Sequence, residues 1–317
     1  TLGGNVIVAN GLNLTLTTGA GAGTIQVTGS LDGTAGAAPE SLTLTAGTGN
    51  VTLESVGSAG TDDLESVTVT SANTASINGV VDLDSSLTIT AESASVNNDV
   101  TTGGTIDVTT TSGSITIQGD LDSSTGNSSV TLTATDDVLL SGVNAGVTTG
   151  GGLFTVDADS DADGAGSFSI DNANGAVNTT GPSGGTILIS AADIDLAGTI
   201  DAGAATVSLV SSETAQPITL GTPAGSEFSL TDSELDNVSA GTVQIGEAND
   251  GDVTFTEAIS PANAATLAIV TSGKVTETVA GTAYTGSALT INGKLAPGTS
   301  PGTFDVNGNF SFASTAE

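Results

Sequence analysis

The sequence predicts an all-β fold in which one chain coils into a single-stranded parallel β-helix, an elongated β-solenoid rod of about thirteen coils. Three observations predict it. Apolar residues fall at every second position in short runs, the runs recur about every 20 to 25 residues, and Gly, Asn, Asp and Ser separate them. A period of two is typical of β-strands, and a recurring unit of this length is typical of a solenoid.

The strand pattern is clearest in residues 41–55. One parity carries Leu42, Leu44, Ala46, Val51, Leu53 and Ser55, while Thr and Glu take the other. Comparable runs begin near Ile25, Leu42, Val67, Leu87, Ile106, Val130, Phe154, Ile187 and Val207. Because four or five β residues cannot bury a face alone, each coil must stack on the next around one core of Val, Ile and Leu. With strands about 4.8 Å apart, the rod would be on the order of 65 Å long.

Along the chain we expect three parts: solenoid coils over 1–225, a continuation with one short helical turn over 226–285, and a terminal repeat over 286–317. The longest step, from Phe154 to Ile187, predicts an extended surface loop. The helical turn is predicted by Thr231 followed three residues later by Glu234, which is a capping-box pattern.

The composition restricts the partners and the chemistry. The chain has 35 acidic residues and only two basic ones, Lys274 and Lys294, so the formal charge is −33. We expect both lysines to lie in Gly-bounded turns. This charge excludes nucleic acid and disfavours anionic lipid surfaces. The repulsion within so acidic a chain must be screened by ions. Adaptation to a saline environment and calcium binding both explain the acidity. No apolar run is long enough for a transmembrane helix, so we expect none.

The last third of the chain resembles a known family. The segment 230–246, which reads LTDSELDNVSAGTVQIG, and its continuation through Val275 resemble repeats of filamentous-haemagglutinin-like bacterial surface proteins. Residues 295–312, LAPGTSPGTFDVNGNFSF, are similar to the passenger-associated β repeats of autotransporters. The resemblance implies a right-handed parallel β-helix, exported to the bacterial cell surface or beyond as an adhesin, fibre or coat. It supplies no catalytic residue.

An acidic run is the first candidate site for a metal. It contains Asp157, Asp159, Asp161 and Asp163. The D-x-D-x-D-G core ending at Gly164 matches the first half of a Ca²⁺ loop, but Ile170 stands where a bidentate Glu is expected. The alternative is a solvated acidic edge, because inward Phe154 and Val156 would place all four Asp residues on the outward side of a prolonged strand.

A second acidic segment, GEANDGD, is the other candidate metal site. It places Glu247, Asn249, Asp250 and Asp252 within six residues. The alternative is a turn that uses Asn and Gly for its backbone conformation. Possible Ca²⁺ is the only cofactor that the sequence suggests.

We expect no enzymatic activity, although parallel β-helices can carry enzymes and carboxylates are abundant here. The chain has no His, Cys or Arg, so Ser-His-Asp and Cys-His mechanisms are excluded. It also has no Trp, and Tyr284 is its one Tyr, so aromatic platforms for sugars are scarce.

The expected function is therefore that of an extracellular structural protein. Unpaired strand edges at the ends of a solenoid favour self-association, end to end or side by side. The alternative is a surface binding module that recognises a glycan or matrix through its Thr- and Asp-rich sides, with calcium as a bridge.

Overall fold

The computed structural model describes residues 1–34, 38–57, 64–182, 184–222, 228–296 and 304–312. Within these residues the chain forms 30 strands in one sheet, and every strand pairing is parallel. The all-β parallel β-helix is thereby confirmed. No helix in the described residues has the length and apolar character needed to cross a membrane.

The elements are, in chain order, β1 (Val6–Ile7), β2 (Asn13–Thr17), β3 (Ile25–Asp32), β4 (Ser41–Thr45), β5 (Val51–Val56), β6 (Leu64–Ser71), β7 (Thr74–Ile77), β8 (Val81–Ala91), β9 (Ser93–Val96), β10 (Val100–Thr102), β11 (Ile106–Thr110), β12 (Ile115–Ile117), β13 (Asp120–Asp122), a 3₁₀ turn (Ser124–Gly126), β14 (Val130–Ala134), β15 (Val138–Leu140), β16 (Gly146–Thr148), β17 (Phe154–Ala158), β18 (Ser167–Ile170), β19 (Ala176–Asn178), β20 (Ile187–Ala191), β21 (Asp193–Leu196), β22 (Thr199–Asp201), β23 (Thr206–Ser211), β24 (Ile218–Leu220), β25 (Phe228–Leu230), α1 (Asp232–Asp236), β26 (Val238–Ile245), β27 (Val253–Phe255), β28 (Ala264–Glu277), β29 (Tyr284–Leu295) and β30 (Val306–Phe312).

The coils of the amino-terminal two thirds contribute to three faces, and the longest inward column defines face A. This column runs through Leu14, Leu42, Val67, Leu87, Ile106, Val130, Phe154, Ile187, Val207, Val243, Leu267, Leu289 and Phe310. The thirteen residues mark thirteen coils of the described chain, and at about 4.8 Å per step they span roughly 60 Å. Of the nine residues at which the sequence predicts an apolar run to begin, eight lie in this column.

The other two faces carry columns of their own. Face B runs from the first coil through Ile25, Val51, Ala75, Ala94, Ile115, Val138, Phe168 and Ile194. Face C runs through Val6, Leu31, Val56, Val81, Val100, Leu121, Val147, Val177, Ile200 and Val238. The three columns enclose one continuous core that is mainly aliphatic.

Two predicted positions differ in detail. Ile25 lies on face B rather than on face A, where the other run starts lie. Ser55 does not point into the core, because the register of β3 against β5 shifts at the corner and Val56 takes the buried position instead. A strand that turns a corner changes parity there, so alternation cannot be extended through it.

The corners are narrow and are held by polar contacts. A Cβ atom at Gly79 would overlap the carbonyl oxygen of Glu54 in the preceding coil, and one at Gly142 would overlap that of Gln118. Buried threonines close other corners: the Thr102 hydroxyl donates to Gly104 O at 2.7 Å and the Thr149 hydroxyl to Gly152 O at 2.7 Å. These contacts satisfy carbonyl groups that no strand pairs.

One coil departs from simple stacking. Strand β24 pairs with β25 on one side and with β27 on the other. Strand β25 follows β24 in the chain, yet it lies beside β21, where the Ser229 N–H donates to the Asp193 carboxylate at 3.0 Å. The chain therefore inserts the later strand, β25, between β21 and the earlier strand, β24.

Helix α1 follows this excursion and confirms the predicted helical turn. The Thr231 hydroxyl oxygen accepts the Glu234 N–H at 3.3 Å, and the Glu234 carboxylate accepts the Thr231 N–H at 2.8 Å. The other carboxylate oxygen accepts the N–H of Leu196 at 3.2 Å. Glu234 thus joins the helix to β21.

We expect Glu234→Ala to lower the free energy of unfolding by about 2 kcal/mol, because a half-buried carboxylate that bonds two backbone N–H groups is lost. Thr231→Ala should lower it by about 1 kcal/mol through loss of the cap. Denaturant unfolding followed by circular dichroism measures both. Ser233→Ala, on the exposed side of the same helix, is the control. Equal effects of Glu234→Ala and Ser233→Ala would contradict the assigned role.

The prediction that both lysines lie in Gly-bounded turns is wrong. Lys274 lies within β28 and Lys294 within β29, because these strands run on past the corner after a register shift. The two exposed side chains are direct register partners in adjacent coils. The division at 225/226 and 285/286 stays a prediction; β29 spans the second of these positions, and residues 297–303 and 313–317 of the terminal repeat lie outside the described residues.

Candidate metal centre

The first acidic run forms a loop where the chain passes from face A to face B. Strand β17 ends at Ala158 because Asp159 takes a left-handed conformation, with φ of 69°. Ala162 and Gly164 are also left-handed, with φ of 53° and 82°. These three positions let the chain turn tightly within the loop. The prediction of four outward Asp residues on a prolonged strand is therefore wrong beyond Ala158.

Asp159 is buried rather than solvated, with 1 % of its surface exposed. Its carboxylate accepts the N–H of Asp163 at 2.9 Å and the N–H of Gly164 at 3.2 Å. It also accepts the hydroxyl of Ser212 at 2.5 Å. Ser212 follows β23, two coils further along face A, so Asp159 anchors the loop to a distant coil.

Asp161 and Asp163 lie on the exposed side of the same loop. One carboxylate oxygen from each of Asp159, Asp161 and Asp163 lies within 4.8 Å of the other two. The charge of Asp161 is the main reason that the pKa of Asp163 is raised. Three converging carboxylates are a partial ligand set for a hard cation, which takes six to eight oxygens when it is Ca²⁺.

Asp157 does not join this group. It lies on β17, where burial and then the neighbouring charge of Asp159 raise its pKa. Within the described residues, Asp159, Asp161 and Asp163 alone bring three such carboxylates together. Ile170 is inward and buried in β18 and offers no ligand.

Glu213 is a nearby acid that sequence reasoning missed. A Cβ atom placed on Gly164 would lie 2.9 Å from Oε1 of Glu213, so the Glu213 carboxylate lies directly over the loop. It belongs to the segment after β23, beside Ser212. No local spacing motif could have found it, because two whole coils separate it from the Asp run in the sequence.

The second acidic segment is a turn between β26 and β27. The Asp250 N–H donates to the Glu247 carbonyl at 3.1 Å, and the Glu247 N–H donates to the Asp250 carboxylate at 2.7 Å. Asp252 accepts the N–H of Lys274 at 2.8 Å. Each carboxylate of Asp250 and Asp252 thus bonds a backbone amide. Across the described chain, Glu247, Asp250 and Asp252 do not converge as the Asp159 group does.

Two carboxylates, buried Asp250 and half-buried Asp120, make stability depend on pH. Burial raises the pKa of Asp250 to about 6, and burial, followed by the charges of Asp122 and Asp99, raises that of Asp120 to about 6. The folded state therefore binds more protons than the unfolded state between about pH 4 and pH 6. We expect stability to fall as pH rises through this window, by on the order of 1 to 2 kcal/mol for each carboxyl, and to change little above it.

Denaturant unfolding from pH 4.5 to pH 7.5 measures this loss, at low protein concentration because the isoelectric point is about 4.1. The double variant Asp120→Asn/Asp250→Asn should flatten the profile. Asp136→Asn removes an exposed carboxyl and is the control. A profile that keeps its full slope in the double variant would contradict the assignment.

Two shallow clefts on the described surface are lined by no residue of either acidic segment. One, of about 340 Å³, is lined by small residues around Gly181 and Ala204. The other, of about 370 Å³, lies at the first coil beside Leu2 and Leu16. Neither is lined by an acidic or a basic side chain. Comparisons with protein-family models, with curated proteins and with solved structures found no match.

Proposed function

We propose that this chain is a rod-shaped structural part of an exported bacterial surface protein, serving as a subunit of a fibre or coat or as a segment of a large adhesin. The observation that carries the proposal is the inward column of face A, which continues from coil to coil through thirteen coils. A fold built by repetition along one axis produces length and lateral surface rather than a concave site. The resemblance of residues 230–312 to haemagglutinin-like and autotransporter repeats supports the same function.

The first and last strands of face A, β2 and β30, support contact with further β structure. Among the described residues β30 pairs with β29 only, and Phe310 and Phe312 are each 45 % exposed. At the opposite edge β2 pairs with β4 only, and its Leu14 and Leu16 are partly buried. Apolar columns that reach an unpaired edge favour one more layer of strands, from further coils of the same polypeptide or from a second copy.

The charge supports an exterior, ion-rich setting. A formal charge of −33 on a narrow rod repels neighbouring rods unless ions screen it. A cation at the Asp161 and Asp163 side of the loop would lower this repulsion. Calcium is therefore the cation to vary in a test of assembly.

The test is electron microscopy of the purified chain at seawater-like salt, with calcium and then with chelator. We expect rods roughly 60 Å long. A fibre subunit should also form filaments whose axial repeat equals one rod. Phe310→Asp/Phe312→Asp should abolish the filaments, whereas Val143→Asp, at an apolar side position that is 66 % exposed, should not.

Each outcome is informative. Filaments that disappear with chelator would assign the acidic loops to joining the rods. Isolated rods in every condition would contradict the fibre or coat subunit and would favour the adhesin segment. Compact particles without elongation would overturn the proposal.

A second function is favoured by the convergence of Asp159, Asp161 and Asp163: a binding module that holds a surface glycan or matrix through bridging calcium. Such a module should stay monodisperse and bind its target only with calcium. Asp161→Asn/Asp163→Asn removes the exposed carboxylates and leaves the buried Asp159 in place. Binding to anionic polysaccharide that survives this double variant would contradict the calcium bridge.

A further inference from the structure

Face A carries two outward rows of threonine over its first seven coils. The first row is Thr15, Thr43, Thr68, Thr88, Asp107, Thr131 and Thr155. The second row is Thr17, Thr45, Thr70, Thr90, Thr109, Thr133 and Asp157. The register shifts once in this row: Thr45 pairs with Ser71, and Thr70 joins the row through its hydroxyl, which lies 2.6 Å from that of Thr45. Twelve of these fourteen positions are Thr.

The rows are specific to this face. In the same coils the outward positions of face B are Gln26, Thr52, Ser76, Ser95, Thr116, Leu139 and Ser169. Those of face C include Asp82, Thr101, Asp122, Thr148 and Asn178. The β-propensity of Thr acts on all three faces alike, so it does not explain this concentration. Beyond the seventh coil the rows change to Leu188, Ser190, Ser208 and Val210.

The hydroxyl groups of the rows are mostly free. Buried threonines elsewhere, such as Thr102 and Thr149, donate to carbonyl groups. Within the described residues, nine threonines of the rows form no side-chain hydrogen bond; the three that do are Thr17, Thr45 and Thr70. The face therefore presents methyl groups and hydroxyls, most of them without a protein partner, side by side in a fixed pattern.

The spacing of the pattern is set by the sheet. Neighbouring coils are about 4.8 Å apart, and alternate residues of one strand are about 6.7 Å apart. From Thr88 to Thr155 the register continues one residue to one residue without a shift. The result is a rectangular lattice, two positions wide, that is regular over the four coils from Thr88 to Thr155 and has Thr at six of its eight positions.

From this lattice we infer that face A binds the surface of ice crystals. Both spacings are close to repeat distances of the water lattice on a face of hexagonal ice. Each methyl group orders the water around it, and each free hydroxyl can occupy a water position in the lattice. A flexible polysaccharide would call for aromatic platforms and a mineral for rows of carboxylates, but the two rows contain no aromatic residue and two Asp residues.

The inference does not rest on the structural role proposed above. The face would bind ice whether the rod is a free subunit or a segment of an adhesin. In an adhesin it would attach the cell to ice.

The test is partition of the full chain into slowly growing polycrystalline ice, measured as the ratio of protein in the ice to protein in the liquid. We expect the unmodified chain to be retained in the ice. Thr88→Tyr/Thr131→Tyr, which places two bulky rings in the middle of the first row, should lose most of this retention. Thr52→Tyr/Thr116→Tyr makes the same change on face B and should lose none.

A milder variant addresses the case in which the Tyr pair does not fold. Thr88→Ser/Thr131→Ser keeps both hydroxyls and removes two methyls, so it should fold and lose part of the retention. Circular dichroism verifies the fold of each variant. The inference is overturned if the unmodified chain enters ice no more than an inert acidic protein of similar size. Equal losses from the face A and face B variants would also overturn it, and so would retention on insoluble polysaccharide with none on ice.

Discussion

Phe154→Ala will lower the free energy of unfolding by about 3 to 5 kcal/mol. Phe154 is completely buried in the seventh coil, where its register partners are Val130 and Ile187. Its ring meets that of Phe168 edge to face, with centroids 6.4 Å apart. Deleting it leaves a cavity that a narrow solenoid core, bounded by hydrogen-bonded coils above and below, cannot close by collapse.

Denaturant unfolding, followed by circular dichroism and by amide hydrogen exchange, measures the effect. Leu153→Ala changes the preceding residue, which is 52 % exposed, and should shift the unfolding midpoint little. Exchange should increase most in the coils on either side, because the inward side chains of each coil pack on those of its neighbours. Similar small effects of both variants would contradict the packing described for the seventh coil.

Asp159→Ala will be the second large effect, with a loss of about 3 kcal/mol. The change leaves the N–H groups of Asp163 and Gly164 and the Ser212 hydroxyl without their acceptor. It also places Ala at a φ of 69°, which disfavours a residue with a simple Cβ. Asp159→Asn should lose less, because Asn tolerates left-handed backbone and keeps one acceptor oxygen.

A variant of the neighbouring Asp161 separates a structural role of this loop from metal binding. Asp161→Ala alters an exposed carboxylate and should leave stability without calcium unchanged. If the loop binds calcium, adding the ion will stabilise the unmodified chain by mass action, and Asp161→Ala will remove that gain. A thermal unfolding series over calcium concentration measures it. A calcium effect that is identical in both chains would contradict a site at this loop.

Much of the fold could be predicted from the sequence because the repeat and the strand period act together. Apolar residues such as Leu42, Val130 and Val207 recur once per coil, and stacking in register brings them into one column. The capping box of Thr231 and Glu234 was predictable because it depends on four consecutive residues. Both signals are local, or repeat at a fixed interval.

The rest could not be predicted, for physical reasons that differ from residue to residue. Ile25 has the same alternation as the face A residues, so periodicity cannot say on which face it lies. Asp159 is charged, yet backbone amides replace water around it, so its residue type does not reveal its burial. Glu213 joins the loop from two coils away, and only the completed stack brings it there.

Strands β24 and β25 stack in the opposite order to their order in the chain, and this also determines how the chain can fold. Up to β23, a coil can be added as soon as it emerges, because the strand it pairs with already exists. Strand β24 has no such template: its neighbours are β25 and β27, and both come later in the chain. Growth from the amino-terminal side must therefore pause until residue 230 is available and β25 has been inserted beside β21. The two segments of the rod on either side of this coil can then nucleate separately, and joining them becomes the slow step of assembly.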